Sequence, residues 1–116
     1  MSPQQIPTVT VPELPVQLPA EGGPLLVDVR EPDEWAAGHI DGAIHIPMGD
    51  FLARINEVPQ DRDVVVVCRS GRRSAEVTAY LARGGWQARN LEDGMLAWQA
   101  AGRPMISETS LAPTVR

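Results

Sequence analysis

A single cysteine, Cys68, is present among 116 residues. Its isolation excludes an internal disulfide, a Cys-x-x-Cys redox pair and a multi-cysteine zinc site, and the sequence holds no second thiol to resolve an oxidised Cys68. Any covalent intermediate on it must be discharged from outside. An apolar run long enough to cross a membrane as a helix is also missing, and Met1-Ser2-Pro3-Gln4-Gln5 lacks the basic and apolar regions of a secretory signal. The expectation is a cytoplasmic protein without membrane contact. Positive charge is in deficit as well. The net charge of -5 and a pI near 4.9 argue against nucleic acids and anionic membranes as partners, since both need a basic face.

Internal repeats and a second domain are absent. A chain of 116 residues suits one domain, which buries about two thirds of the surface its unfolded form exposes. The expected division is a flexible N-terminus over 1–7, a folded domain over 8–104 and a loose C-terminal tail over 105–116, with a monomer as the expected state. Pro3, Pro7, Pro12, Pro15 and Pro19 restrict the first part to short pieces. These are a strand at Thr8-Val9-Thr10-Val11 and a turn of helix near Glu13 to Leu18. Leu25-Leu26-Val27-Asp28-Val29 reads as a buried strand, and Glu31 to Trp35 begins a brief helix with acids in its first turn that Gly38 ends. A third strand falls near Ala43 to Ile46, and a helix over Phe51 to Val58 stops at Pro59. Ala88-Arg89-Asn90-Leu91 makes a weak last strand, and Met95 to Trp98 carries a closing helix that Gly102 and Pro104 terminate. This alternation predicts right-handed crossovers and a mostly parallel sheet covered on both faces, with ligands at the carboxyl ends of its strands.

Four consecutive valines, Val64 to Val67, read as a strand buried on both faces, which has no need to alternate polar and apolar residues. They deliver Cys68 into the loop Arg69-Ser70-Gly71, and from Arg72 the apolar spacing predicts a helix that Gly84-Gly85 stops. Strand, loop and helix N-terminus form an anion-binding arrangement, in which unpaired amides converge and Arg69, Arg72 and Arg73 add positive charge. A free thiol titrates near about pH 8.5, and a helix N-terminus beside cations favours its ionised form. Gly71 fits a tight loop whose amides converge on one point. The expectation is a reactive thiolate; the competing reading is a small buried hydrophobe beside solvated arginines.

Four motifs stand in order: Leu26-Val27-Asp28-Val29-Arg30-Glu31, Gly38-His39-Ile40-Asp41-Gly42-Ala43, Cys68-Arg69-Ser70-Gly71-Arg72-Arg73-Ser74 and Asp93-Gly94-Met95-Leu96-Ala97-Trp98. Together, over about Thr8 to Pro104, they resemble a rhodanese domain. The resemblance implies an α/β fold with a central five-stranded sheet and helices on both faces. It also implies a single-domain sulfurtransferase whose cysteine cycles between thiolate and persulfide, without a cofactor. Cys68 is then the nucleophile, taking sulfur from a small-molecule donor such as thiosulfate and passing it to cyanide, a thiol or a protein acceptor. The loop residues Arg69, Ser70, Gly71, Arg72, Arg73 and Ser74 become the substrate-binding ring, with Arg69 and Arg73 the first choices for donor contact. Ser70 departs from the cation that thiosulfate-using members often carry there, which puts thiosulfate as physiological donor in doubt. A persulfide carrier or protein-interaction module is the alternative. A cysteine-dependent phosphatase requires Cys-x5-Arg; Ser74 occupies that position and the arginine comes one residue early, at Arg73.

Asp28 and Arg30, at the carboxyl end of the second strand, are supporting candidates: Asp28 to orient a loop arginine, Arg30 to line the pocket. A structural salt bridge, with Glu31 or Glu34 as a possible partner, is the competing reading. His39 and His45, with no second ligand pattern nearby, read as turn or core-edge hydrogen-bonders rather than metal ligands or bases. Trp35, Trp86, Trp98, Met95 and Leu96 read as packing residues.

Overall fold

The computed structural model describes residues 6–116. Residues 1–5, most of the stretch expected to be flexible, lie outside it. Five parallel strands, β1 (Thr8–Val9), β2 (Leu25–Asp28), β3 (Ile44–His45), β4 (Val64–Val67) and β5 (Ala88–Leu91), form one sheet in the order β1-β5-β4-β2-β3. The α-helices are α1 (Pro32–Ala37), α2 (Arg72–Arg83) and α3 (Gly94–Ala100).

The central strand explains the valine run. Successive side chains of a strand point to opposite faces. Val64 and Val66 therefore join Val27, Phe51, Val77 and Leu81 under α2, while Val65 and Val67 join Leu26, Leu91, Met95 and Trp98 under α3. Both faces are covered, so all four valines are buried and the strand tolerates no polar alternation. Asp28 pairs with Val67 in register, and Val29 N–H donates to Val67 O at 3.0 Å. The loops after β2 and β4 thus leave the sheet side by side at its carboxyl edge.

Three expectations are corrected. The first strand ends after Val9 because the Thr10 N–H donates to Glu13 Oε1 at 2.8 Å, which starts a 3-10 turn at Val11–Glu13 instead of continuing the ladder. The segment expected as a helix over Phe51 to Val58 winds as 3-10 turns over Leu52–Glu57. Between Pro47 and Pro59 the segment is anchored by buried Phe51 and Val58 and winds in the tighter form used for short connecting pieces. The C-terminal residues, expected to have little to pack against, lie along α1. Glu108 N–H donates to Ala36 O at 2.9 Å and Thr114 N–H to Ala37 O at 3.0 Å. A six-residue helix leaves its last carbonyls without internal partners, and this segment supplies the donors. Gly38 permits the approach, since a side chain there would press on the Thr114 backbone.

Candidate active site

Cys68 follows β4 directly, and its residue is fully buried. Gly71 caps α2 with φ +93°, a conformation side chains disfavour, and its N–H donates to Cys68 Sγ at 3.1 Å. Ser74, in the first turn of α2, adds its N–H at 3.4 Å, and its hydroxyl oxygen lies 3.2 Å from the sulfur. Two amides and a hydroxyl therefore surround one sulfur at a helix N-terminus, where the partial positive charge of the helix favours an anion. The back of the loop is held by α3. Met95 N–H donates to Cys68 O at 2.9 Å and Leu96 N–H to Arg69 O at 3.0 Å, and a Cβ on Gly94 would overlap the Cys68 carbonyl oxygen.

Among the described residues no arginine donates a hydrogen bond to Sγ. Arg73 forms a two-pronged pair with Glu34 of α1, at 2.8 and 3.0 Å. The Arg73 hydrogen bonds hold the Glu34 carboxyl below the usual carboxylate range. The same bonds raise the Arg73 guanidinium above its ordinary value, with a smaller push from negative charge at Cys68. Arg69 is exposed and donates through Nε to Arg116 O at 2.9 Å. Arg72 and Ser70 are exposed, Arg72 on the first turn of α2. The loop thus brings Cys68, Gly71 and Ser74 together, with Arg69, Ser70, Arg72 and Arg73 around its rim.

Asp28 and Arg30 stand apart from this ring. Asp28 accepts from the Arg30 N–H at 3.0 Å and pairs with its guanidinium at 2.7 Å, and Arg30 also donates to Gly38 O at 2.8 Å. Among the described residues no hydrogen bond links either to positions 68–74, and the salt-bridge partner of Arg30 is Asp28 rather than Glu31 or Glu34. Trp35 stacks on His39 at 3.5 Å and on His45 at 4.8 Å between ring centroids. His39 Nε2 meets Glu108 at 2.7 Å, and His45 Nε2 donates to Arg30 O at 2.7 Å.

Two contributors were missed in the sequence. From the sequence Glu34 reads only as a first-turn acid and as a salt-bridge candidate for the Asp28 and Arg30 pair. Asn90 was read as part of a weak strand. Its side chain donates from Nδ2 to Gly71 O at 3.1 Å and accepts from Ser74 Oγ at 2.6 Å. The available signal was its type: asparagine is depleted in strands, so one beside the central strand asks for a polar partner.

The Rhodanese-like domain family matches residues 12–101. This chain belongs to that family. It is 45% identical over 84 residues to a sulfurtransferase of Allochromatium vinosum, covering 72% of this chain and 78% of that one. The rhodanese-like domain protein of Staphylococcus aureus superposes with a TM-score of 0.76 at 36% identity, covering 87% of this chain and 99% of that one. The thiosulfate sulfurtransferase of Pseudomonas aeruginosa superposes with a TM-score of 0.78 at 26% identity over 91% of this chain, but over only 21% of its own. The five-stranded parallel sheet with helices on both faces is therefore the rhodanese-like fold, and the Cys68 loop lies at its carboxyl edge.

Proposed function

We propose that the protein moves a sulfane sulfur from a donor such as thiosulfate to a thiophilic acceptor through a persulfide on Cys68. The observation that carries this reading is the convergence of the Gly71 N–H and the Ser74 N–H on one sulfur atom at the start of α2. In the first half-reaction the Cys68 thiolate attacks the outer sulfur of the donor. A new S–S bond forms, the S–S bond within thiosulfate breaks, and sulfite leaves with the electron pair. In the second, cyanide or a thiolate attacks the outer sulfur of the persulfide, and Cys68 departs as the thiolate. Every species is an anion or carries developing negative charge, so donors fixed before the reaction stabilise it without reorganising.

The loop amides do this work closest to the sulfur. Arg69, Arg72 and Arg73 contribute from the rim: they raise the local concentration of an anionic donor and complete the ring of positions 69–74. No base is needed, since a thiolate is itself the nucleophile. Asp28 and Arg30 support the site indirectly by fixing the neighbouring loop. A persulfide carrier that receives sulfur from a partner protein and does not turn over thiosulfate is the second reading. It is favoured by exposed Ser70, which stands at the one rim position where the resemblance implies a cation in thiosulfate-using members.

Intact mass measurement after incubation with thiosulfate, then cyanide, tests the proposal. The expected result is a gain of one sulfur, its removal by cyanide, and no gain in Cys68→Ser. Loading only from a protein or small-thiol persulfide selects the carrier reading, and no loading from any of these donors rejects both.

A further inference from the structure

Asn90 touches the loop with both ends of its amide. The Gly71 carbonyl can only accept, which fixes Nδ2 on its side and turns Oδ1 toward Ser74. Oδ1 carries no hydrogen, so the Ser74 hydroxyl is the donor in the 2.6 Å bond. That hydroxyl has one proton, and its oxygen also lies 3.2 Å from Sγ. Ser74 is fully buried and Asn90 is 8% exposed, so the contest for the proton is settled inside the protein.

With the hydroxyl proton directed at Asn90 Oδ1, a serine lone pair faces the sulfur. That arrangement suits a thiol, whose S–H donates to Oγ. When Cys68 ionises, its proton leaves to solvent. Sulfur and Oγ would then oppose each other as acceptors unless the Ser74 O–H rotates from Oδ1 to Sγ. The rotation breaks the short bond and leaves Oδ1 and Oγ as two acceptors in contact. One alternative or the other is always unsatisfied, and Asn90 decides which.

We propose that Asn90 is a positioning residue which withholds the single Ser74 hydroxyl proton from Cys68 and so favours the thiol over the thiolate. The Ser74–Asn90 pair opposes the Gly71 and Ser74 amides, and the balance between them sets how much of the nucleophile is present between turnovers. This role goes beyond sulfur transfer and rests on that reading only for its purpose.

The test is the pH profile of iodoacetamide alkylation, followed by mass on the full chain, which requires no sulfur donor. Asn90→Ala frees the hydroxyl proton for sulfur, so the profile is expected to move to lower pH by about half a unit to one unit, the latter a tenfold change in the ionisation equilibrium. A merely structural anchor predicts the opposite sign, because a loosened loop loses amide donors and the profile moves up. Ser74→Ala alone is expected to move the profile little, and in that background Asn90→Ala should no longer lower it. Asn90→Leu, of similar length, replaces the alanine variant if the latter does not fold. A profile that is unmoved or raised by the Asn90 variants, or lowered equally without Ser74, overturns the proposal. Absence of sulfur loading from thiosulfate would reject the transfer reading and leave the alkylation result standing.

Discussion

The loops after β2 and β4 leave neighbouring strands at the same level and use polarity in opposite ways. After β2, charge is locked within the loop. The Asp28 carboxylate takes the Arg30 amide and guanidinium, the Arg30 guanidinium also donates to Gly38 O, and His45 donates to Arg30 O. After β4 the polarity is dipolar and points inward, with two amides and a hydroxyl around Sγ and the arginines turned to the rim. A full charge buried beside Sγ would need a partner and would fix the loop for one state. Amide dipoles accept either a neutral sulfur or an anion at modest cost. A loop that cycles through charged and neutral sulfur therefore suits dipoles, and a loop that must only hold its neighbour steady suits an ion pair.

The largest effect separating the two loops is chemical. Cys68→Ser is expected to abolish sulfur loading completely, as read by intact mass, while far-ultraviolet circular dichroism shows the fold retained. The next effect belongs to the β2 loop. Asp28→Ala leaves Arg30 buried and uncompensated, and unfolding in denaturant should show a loss of about 3–5 kcal/mol. Stability held at the wild-type level with slowed loading would instead place Asp28 in the sulfur site. Gly71→Ala tests the dipoles. The φ of +93° strains any side chain, at a cost of about 1–3 kcal/mol, and the new Cβ would lie 3.2 Å from Asp93 N. Displacing the Gly71 amide from Sγ should slow loading by a factor of about 10 to 1,000, as removal of one oxyanion-type donor does. A loading rate within twofold of wild type would show that this amide does not serve the reaction.

How much of this was legible follows from which residues act locally. Val64 to Val67, the glycine-stopped helix α2 and the strand Ala88–Leu91 could be placed because their signals lie within a few neighbours. Cys68, Gly71 and Ser74 could be placed because strand, loop and helix are contiguous in the chain. The partners Glu34 and Asn90 come from α1 and β5, and pairing across crossovers leaves no local periodicity to read. The docking of the C-terminal residues was hidden for the same reason. Its donors answer the end of α1, some seventy residues earlier, and the larger apolar residues of Ser107–Arg116, Leu111 and Val115, are too few to set up a periodic pattern. The arginines misled in one respect. Their number suggests an electropositive loop, but Arg73 is held by Glu34 and Arg69 by Arg116, so the sulfur's partners are the Gly71 and Ser74 amides and the Ser74 hydroxyl.

The smallest expected effect concerns the one ion pair that, among the described residues, joins the β4 loop to its surroundings. The bond from Arg73 lowers Glu34 from its ordinary value of 4.5 and raises Arg73, so the arginine stays charged across the accessible range and the carboxylate alone sets the pH dependence. A group held below its unfolded value contributes stability above that value and loses it as pH falls through the folded one. The pair should therefore be fully effective above about pH 4.5 and fade below it. Arg73 is 35% exposed, so solvent screens the interaction to about 1 kcal/mol or less, a few degrees in melting temperature for a chain of this size. Melting curves of wild type and Glu34→Gln at pH 7 and pH 3 measure this. The variant should melt lower at pH 7, and the gap should narrow as the pH falls below about 4.5, because the wild-type carboxyl then begins to take up its proton. A gap that persists in acid would mean that Glu34 holds α1 by shape and neutral hydrogen bonding. The rim of the β4 loop would then resemble the β2 loop, fixed by contacts that do not depend on charge.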